Sequence, residues 1–214
     1  MNFLDEVIQI VFRSLMVSGL ATILATLWSI PISLFLLTTD FKYRGIVQDI
    51  FNSLVSIPTV VLGLFLYILL SRFGPLGFLG LLYTPIAISI GQAILITPLM
   101  VSVITTSLRR LKGGVWETAI SLGATRLQAS IVLLDEGLAQ LVRSMLIGFN
   151  RAIGELGVAL MVGGNIRGFT RVMTTAIALE VTRGNFELAL NLGAIFLIIT
   201  GTLTVVVRIL GVRE

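Results

Sequence analysis

What most restricts this chain is a succession of apolar stretches, each set off by a short polar break. Crossing a hydrocarbon core of about 30 Å takes about 20 residues of α-helix, a length that soluble core helices seldom reach with apolar residues throughout. Such stretches predict membrane spans over about 11–37, 46–70, 82–108, 138–162 and 188–210. Composition agrees, because 56% apolar and only 12% charged residues leave too little polar surface to cover a water-soluble fold. The sequence therefore predicts an all-α membrane protein with five transmembrane helices, a single domain over 1–214 bathed in membrane lipid.

Between the spans the chain is short of ornament. Phe3, Leu4, Val7 and Ile8 share a helical face, which predicts a leader helix lying at the membrane interface. Asp5 and Glu6 stand where a cleavable signal would carry basic residues, so this leader reads as retained. SRFGPLGFLG is a Gly/Pro loop, and GGNIRGFTRVMTTAIALEVTRGNFE, spanning the loop 163–187, reads as a long loop with a short helix or a dip into the membrane. Lys42, Arg44, Arg109, Arg110, Lys112, Arg126 and Arg213 fall on one side of this topology, while Arg13, Arg72, Arg167, Arg171 and Arg183 are spread over longer segments on the other. The positive-inside rule then puts the N-terminus outside and the C-terminus in the cytoplasm. Pro31, Pro58, Pro85 and Pro98 lie within or at the edges of spans, where each removes a backbone donor and can kink its helix.

Several kinds of chemistry are excluded. The chain has no Cys and no His, which removes thiolate and imidazole metal sites, disulfides and His-dependent catalysis. Its net charge of +4 is dispersed between apolar spans without interleaved aromatics, so it marks topology and not a nucleic-acid partner. There is no G-x-x-x-x-G-K-[ST] loop, and Lys42 and Lys112 are the only lysines, neither in such a setting. No internal repeat of the kind built into inverted-repeat secondary transporters is present either.

The segment 113–136 interrupts the apolar pattern. Trp116, Ile120, Leu127, Ile131 and Leu134 recur at helical spacing, Gly123 suits a left-handed helix end, and Thr125 with Gln128 forms a T-x-x-Q capping box. A short helix, a sharp turn and a second helix are predicted. This segment resembles the EAA loop of ABC importer permeases, with Glu117, Thr118 and Ala119 at its opening triplet and Gly123 at its glycine, followed by Ala124. Thr118 stands in place of the first Ala, and LLDEG in place of the Leu-Pro ending of many members. NRAIGELGVALMVGGNIRGFTRVMTTAIALE, running from Asn150 to Glu180, resembles the longer signature of the tungstate-type oxyanion subfamily.

The resemblance implies a type I ABC importer permease that moves an oxyanion, most directly tungstate and alternatively molybdate or another anion, by alternating access. It implies no cofactor on this chain, with ATP and magnesium bound by separate ABC ATPase subunits on the cytoplasmic side. It further implies a homodimer of permease chains, an extracytoplasmic oxyanion-binding protein, and ATPase docking through Glu117, Thr118, Ala119, Gly123 and Ala124 as a coupling helix pair.

Charges inside the fourth span need compensation, since each of Arg143, Arg151 and Glu155 costs roughly 2.5 to 3.5 kcal/mol at mid-bilayer. Arg151 and Glu155 are four apart and can pair along the helix. Arg151 near an anion pathway and Arg151 as a structural partner of Glu155 are both open readings. Beyond the span, Asn165, Arg171, Thr174 and Thr175 supply the donor types that hold tetrahedral oxyanions, in a loop that suits docking or gating first and anion coordination second.

Overall fold

The computed structural model describes residues 3–39 and 41–212, so Arg213, counted above with the inner charges, lies outside the described residues. Ten α-helices follow in order among them: α1 (Phe3–Thr38), α2 (Arg44–Leu54), α3 (Thr59–Leu70), α4 (Pro85–Leu111), α5 (Glu117–Ser121), α6 (Arg126–Glu136), α7 (Leu138–Ile153), α8 (Gly157–Gly163), α9 (Met173–Thr182) and α10 (Phe186–Val212). α1, α4 and α10 are each long and apolar enough to cross a membrane, which makes three spans, or five if the bent pairs α2–α3 and α7–α8 each count as one.

Three expectations are modified. The leader is no separate interfacial helix: α1 runs unbroken from Phe3, at about 1.5 Å per residue far longer than a bilayer core. Its first turns are tied to the bundle, with Val7 and Ile10 buried in one cluster with Ile153, Met173, Ala176, Leu188 and Leu192. The stretch 46–70 is two helices meeting at 96°. Pro58 supplies no N–H and pushes Ile57 away from helical geometry, so α2 ends and α3 begins with Pro58 as its extended N-cap. The stretch 138–162 is likewise bent, by 62°, where Gly154 closes α7 and α8 starts at Gly157. Pro31 and Pro98, by contrast, sit inside continuous helices.

α1 and α4 run side by side in the same direction and form the central seam. Ser89 Oγ donates to Val17 O at 3.1 Å, Ser18 Oγ to Gln92 Oε1 at 3.2 Å, and Ser33 Oγ to Val101 O at 3.3 Å, so the register is held along most of the span. Ala21, Ala25, Ser29 and Ala93 are fully buried between them, because small side chains let two membrane helices approach closely where no hydrophobic force separates them from lipid. A second tight junction joins α8 to α3: a Cβ on Gly157 would lie 2.6 Å from Thr59 Oγ1 and 2.9 Å from Val60 N. Only glycine permits that approach.

Candidate functional site

One end of the bundle carries the α5–α6 pair. After α4 the chain passes a wide π-type turn, Lys112–Trp116, into α5, and Gly123 adopts φ +88°, where a side chain would be strained. Thr125 Oγ1 accepts from Gln128 N at 3.3 Å while Gln128 Oε1 accepts from Thr125 N at 2.8 Å, the reciprocal cap predicted from the sequence. Trp116, Ala129 and Leu133 are buried together with Leu34 of α1 and Leu111 of α4 packed against them, so the pair is seated on the ends of the seam. Its other face is open: Leu122 is 83% exposed and Leu127 72%, and Ile131, Glu117 and Thr118 are exposed with them. The apolar stripe foreseen in this segment thus divides, half into the bundle and half outward. Ala119 and Ala124 lie half-buried at the turn, linked by a backbone bond from Ala124 N to Ala119 O at 3.0 Å.

The bend between α7 and α8 gathers a second group. Glu155, 3% exposed, accepts from Arg151 Nη1 at 2.8 Å and from Val158 N at 3.2 Å, while its backbone carbonyl accepts from Thr174 Oγ1 at 2.8 Å. One carboxylate therefore neutralises an intramembrane arginine and restarts α8 by satisfying a free N–H at its N-terminus. Arg151 keeps 38% of its side chain exposed and shares a groove with Asn150, Leu99, Ile147, Thr204 and Val207. Asn150 Nδ2 reaches Thr204 Oγ1 at 3.4 Å, and its buried Oδ1 has no partner.

At the end opposite α5–α6 lies an ion network that the sequence did not announce. Arg171, 5% exposed, sits 3.6 Å from both Glu6 of α1 and Glu180 of α9. Glu6 also takes a two-pronged bond from Arg167, with Nε to Oε1 at 2.8 Å, and Glu180 accepts from Arg183 at 3.3 Å and from Asn185 Nδ2 at 3.1 Å. Arg13 joins by donating to Arg171 O and Gly168 O. Burial lowers the Arg171 pKa, with the two carboxylates acting the other way; the bond to Glu6 raises that of exposed Arg167. Asn165, at φ +51°, donates to Thr175 O at 3.2 Å, and Thr175 Oγ1 accepts from Val172 N at 3.1 Å to cap α9.

The residues selected from sequence therefore fall in three separate places. Arg151, Glu155 and Thr174 meet at the bend, Asn165, Arg171 and Thr175 organise the loop before α9, and Glu117 to Ala124 form the distant turn. What the sequence pattern does not reveal is the acidic half of the network: Glu180 is the one charge in MTTAIALEV, and Glu6 in its local setting argues only against a signal peptide. No group of three or more metal-ligating side chains gathers among the described residues.

No protein-family model matches the chain. It is 40% identical over 96% of its length to the tungstate uptake system permease protein of Peptoclostridium acidaminophilum, of which it covers 90%. The chain belongs to the tungstate-type anion permeases of ABC transporters. A probable anion ABC transporter permease protein of Haloferax volcanii is 36% identical to this permease over 98% of it and 91% of that chain. A molybdenum transport system permease protein of Haemophilus influenzae is 28% identical over 71% of each. In fold the permease is similar to a crystal structure of an amino acid ABC transporter with histidines, at a TM-score of 0.66 and 19% identity, covering 100% of this chain and 99% of that one.

Proposed function

We propose that this permease, as one of two identical chains, carries tungstate or a closely similar oxyanion across the cytoplasmic membrane by ATP-driven alternating access. The geometry that carries the ATP-driven part is the α5–α6 turn, which holds Leu122 and Leu127 outward beyond the apolar spans at the end where Lys42, Arg44, Arg109, Arg110 and Lys112 collect. Large apolar side chains on a polar end are the mark of a protein partner. That partner is the ATPase subunit, which holds ATP and magnesium, with Glu117 to Ala124 as the coupling contact. The collection of basic residues supports reading this end as cytoplasmic and the N-terminus as outside.

Pairing of two chains is supported by the groove at Asn150, Arg151 and Thr204. Such groups within the spans are poorly served by lipid and well served by a water-lined pathway between subunits. Tungstate is favoured as substrate by the 40% identity to a tungstate uptake permease against 28% to a molybdenum one. Because Asn165, Arg171, Thr174 and Thr175 are each engaged within the chain, the loop before α9 serves to receive the extracytoplasmic binding protein and to gate, ahead of holding the anion.

Gly123→Asp tests the coupling contact. A side chain at φ +88° strains the turn and its charge meets the partner's groove, so the variant inserts normally while uptake of tungstate by the reconstituted assembly falls at least about tenfold. Unchanged uptake together with unchanged ATPase binding defeats the docking role. Competition by molybdate and sulfate in the same assay ranks the substrates.

A further inference from the structure

We infer that Arg143 of α7 and Arg110 of α4 form an anion site in the exit half of the pathway, built to take a tetrahedral oxyanion with part of its water. The inference rests on the transport reading above and adds to it where in this chain the anion is held.

Both arginines line one groove of about 530 Å³ together with Ser102, Thr106, Ser107 and Gln140. No carboxylate of the described residues lines it. Arg143 Nε is buried without a hydrogen-bond partner, and neither guanidinium has an ion pair among the described residues. Six other arginines are engaged: Arg151 by Glu155, Arg167 and Arg171 by Glu6, Arg183 by Glu180, Arg13 by carbonyls and Arg109 by Gln48. An unpaired guanidinium facing hydroxyls within the bundle is costly unless an anion or water completes it.

The donor set matches one ligand class. Two guanidinium forks and the hydroxyls of Thr106 and Ser107 are donors that meet several oxygens of a compact dianion at once, Ser102 donating instead to Asn52 Oδ1, and α7 adds the partial positive charge of its first turns, where Gln140 and Arg143 lie. At about 30 Å³ per water, the groove holds an anion with more than ten waters, so contact is partial and release is easy, as conduction requires. The groove also adjoins the one at Asn150 and Arg151: Ile147 lines both, and α7 carries Gln140, Arg143, Ile147, Asn150 and Arg151 in succession. Arg151 is tied to Glu155, whereas Arg143, further along α7 toward α5–α6, has no ion pair among the described residues.

The test is tungstate uptake into liposomes holding the permease with its ATPase and binding protein, for wild type, Arg143→Gln, Arg143→Lys and Arg110→Gln. Loss of one charge-assisted contact lowers uptake about tenfold or more in Arg143→Gln, and by a lesser factor in Arg110→Gln. Arg143→Lys, which keeps the charge, retains most of the rate, and binding-protein docking and ATPase docking are unchanged in all three. Should Arg143→Gln fail to insert, Arg110→Gln, whose side chain is exposed, decides alone. Undiminished uptake by inserted Gln variants, beside an active wild type, overturns the site and leaves the transport reading standing. No oxyanion uptake by the wild-type assembly overturns both.

Discussion

The two ends of this bundle treat arginine in opposite ways. Next to the N-terminus of α1, Arg167, Arg171 and Arg183 share two carboxylates, Glu6 and Glu180, in a network joining α1, the loop before α9, and α9 itself. Near the α5–α6 end, Arg110 and Arg143 line a groove with hydroxyls and, among the described residues, no carboxylate. A buried guanidinium between two acidic neighbours has its charge balanced by them, while one without a carboxylate partner keeps its charge for a ligand. The same residue type builds structure at one end and is left available at the other.

The strongest way to break this contrast is Glu180→Gln. It leaves buried Arg171 with Glu6 as its remaining carboxylate, also at 3.6 Å, so the cost is a part of the about 3 to 5 kcal/mol that a wholly unpaired buried charge carries. The unfolding midpoint of the detergent-solubilised permease drops accordingly; an unmoved midpoint means the network is not structural. Arg167→Gln sharpens the same end. Its pair with Glu6 is exposed on the arginine side and screened by salt, so the midpoint falls by less than in Glu180→Gln, and the difference from wild type shrinks at high ionic strength. Least affected in stability is Arg110→Gln, expected within about 0.5 kcal/mol of wild type because no partner is lost. A large destabilisation there erases the distinction between the two ends.

The bends show how far local pattern reaches. Pro58 was visible in the sequence, yet a hydropathy reading carries straight through it, because Ile46 to Leu70 is apolar enough to average over one proline. The break becomes a 96° elbow only because α2 lies against α4 through Asn52 to Ser102 and Gln48 to Arg109, polar contacts that no window of hydropathy contains. The bend at Gly154 is similar. Arg151 and Glu155 were legible as a pair from their spacing, but the role of Glu155 as the acceptor for Val158 N appears only once α8 is seen to start afresh.

The α5–α6 turn was the most legible part, since its determinants are local: Gly123 at a positive φ and a cap closed within four residues, Thr125 to Gln128. The sequence by itself determined the membrane class, the approximate spans and this turn, because hydrophobic length, glycine geometry and capping act between neighbours in the chain. Arg151 with Glu155 apart, which arginines are neutralised by distant carboxylates was decided by the tertiary structure. Arg171 and Glu6 are far apart in sequence and meet because α1 extends past its span to the loop before α9. Charge pairing depends on distance in space, and in this fold only the packing of the helices sets that distance.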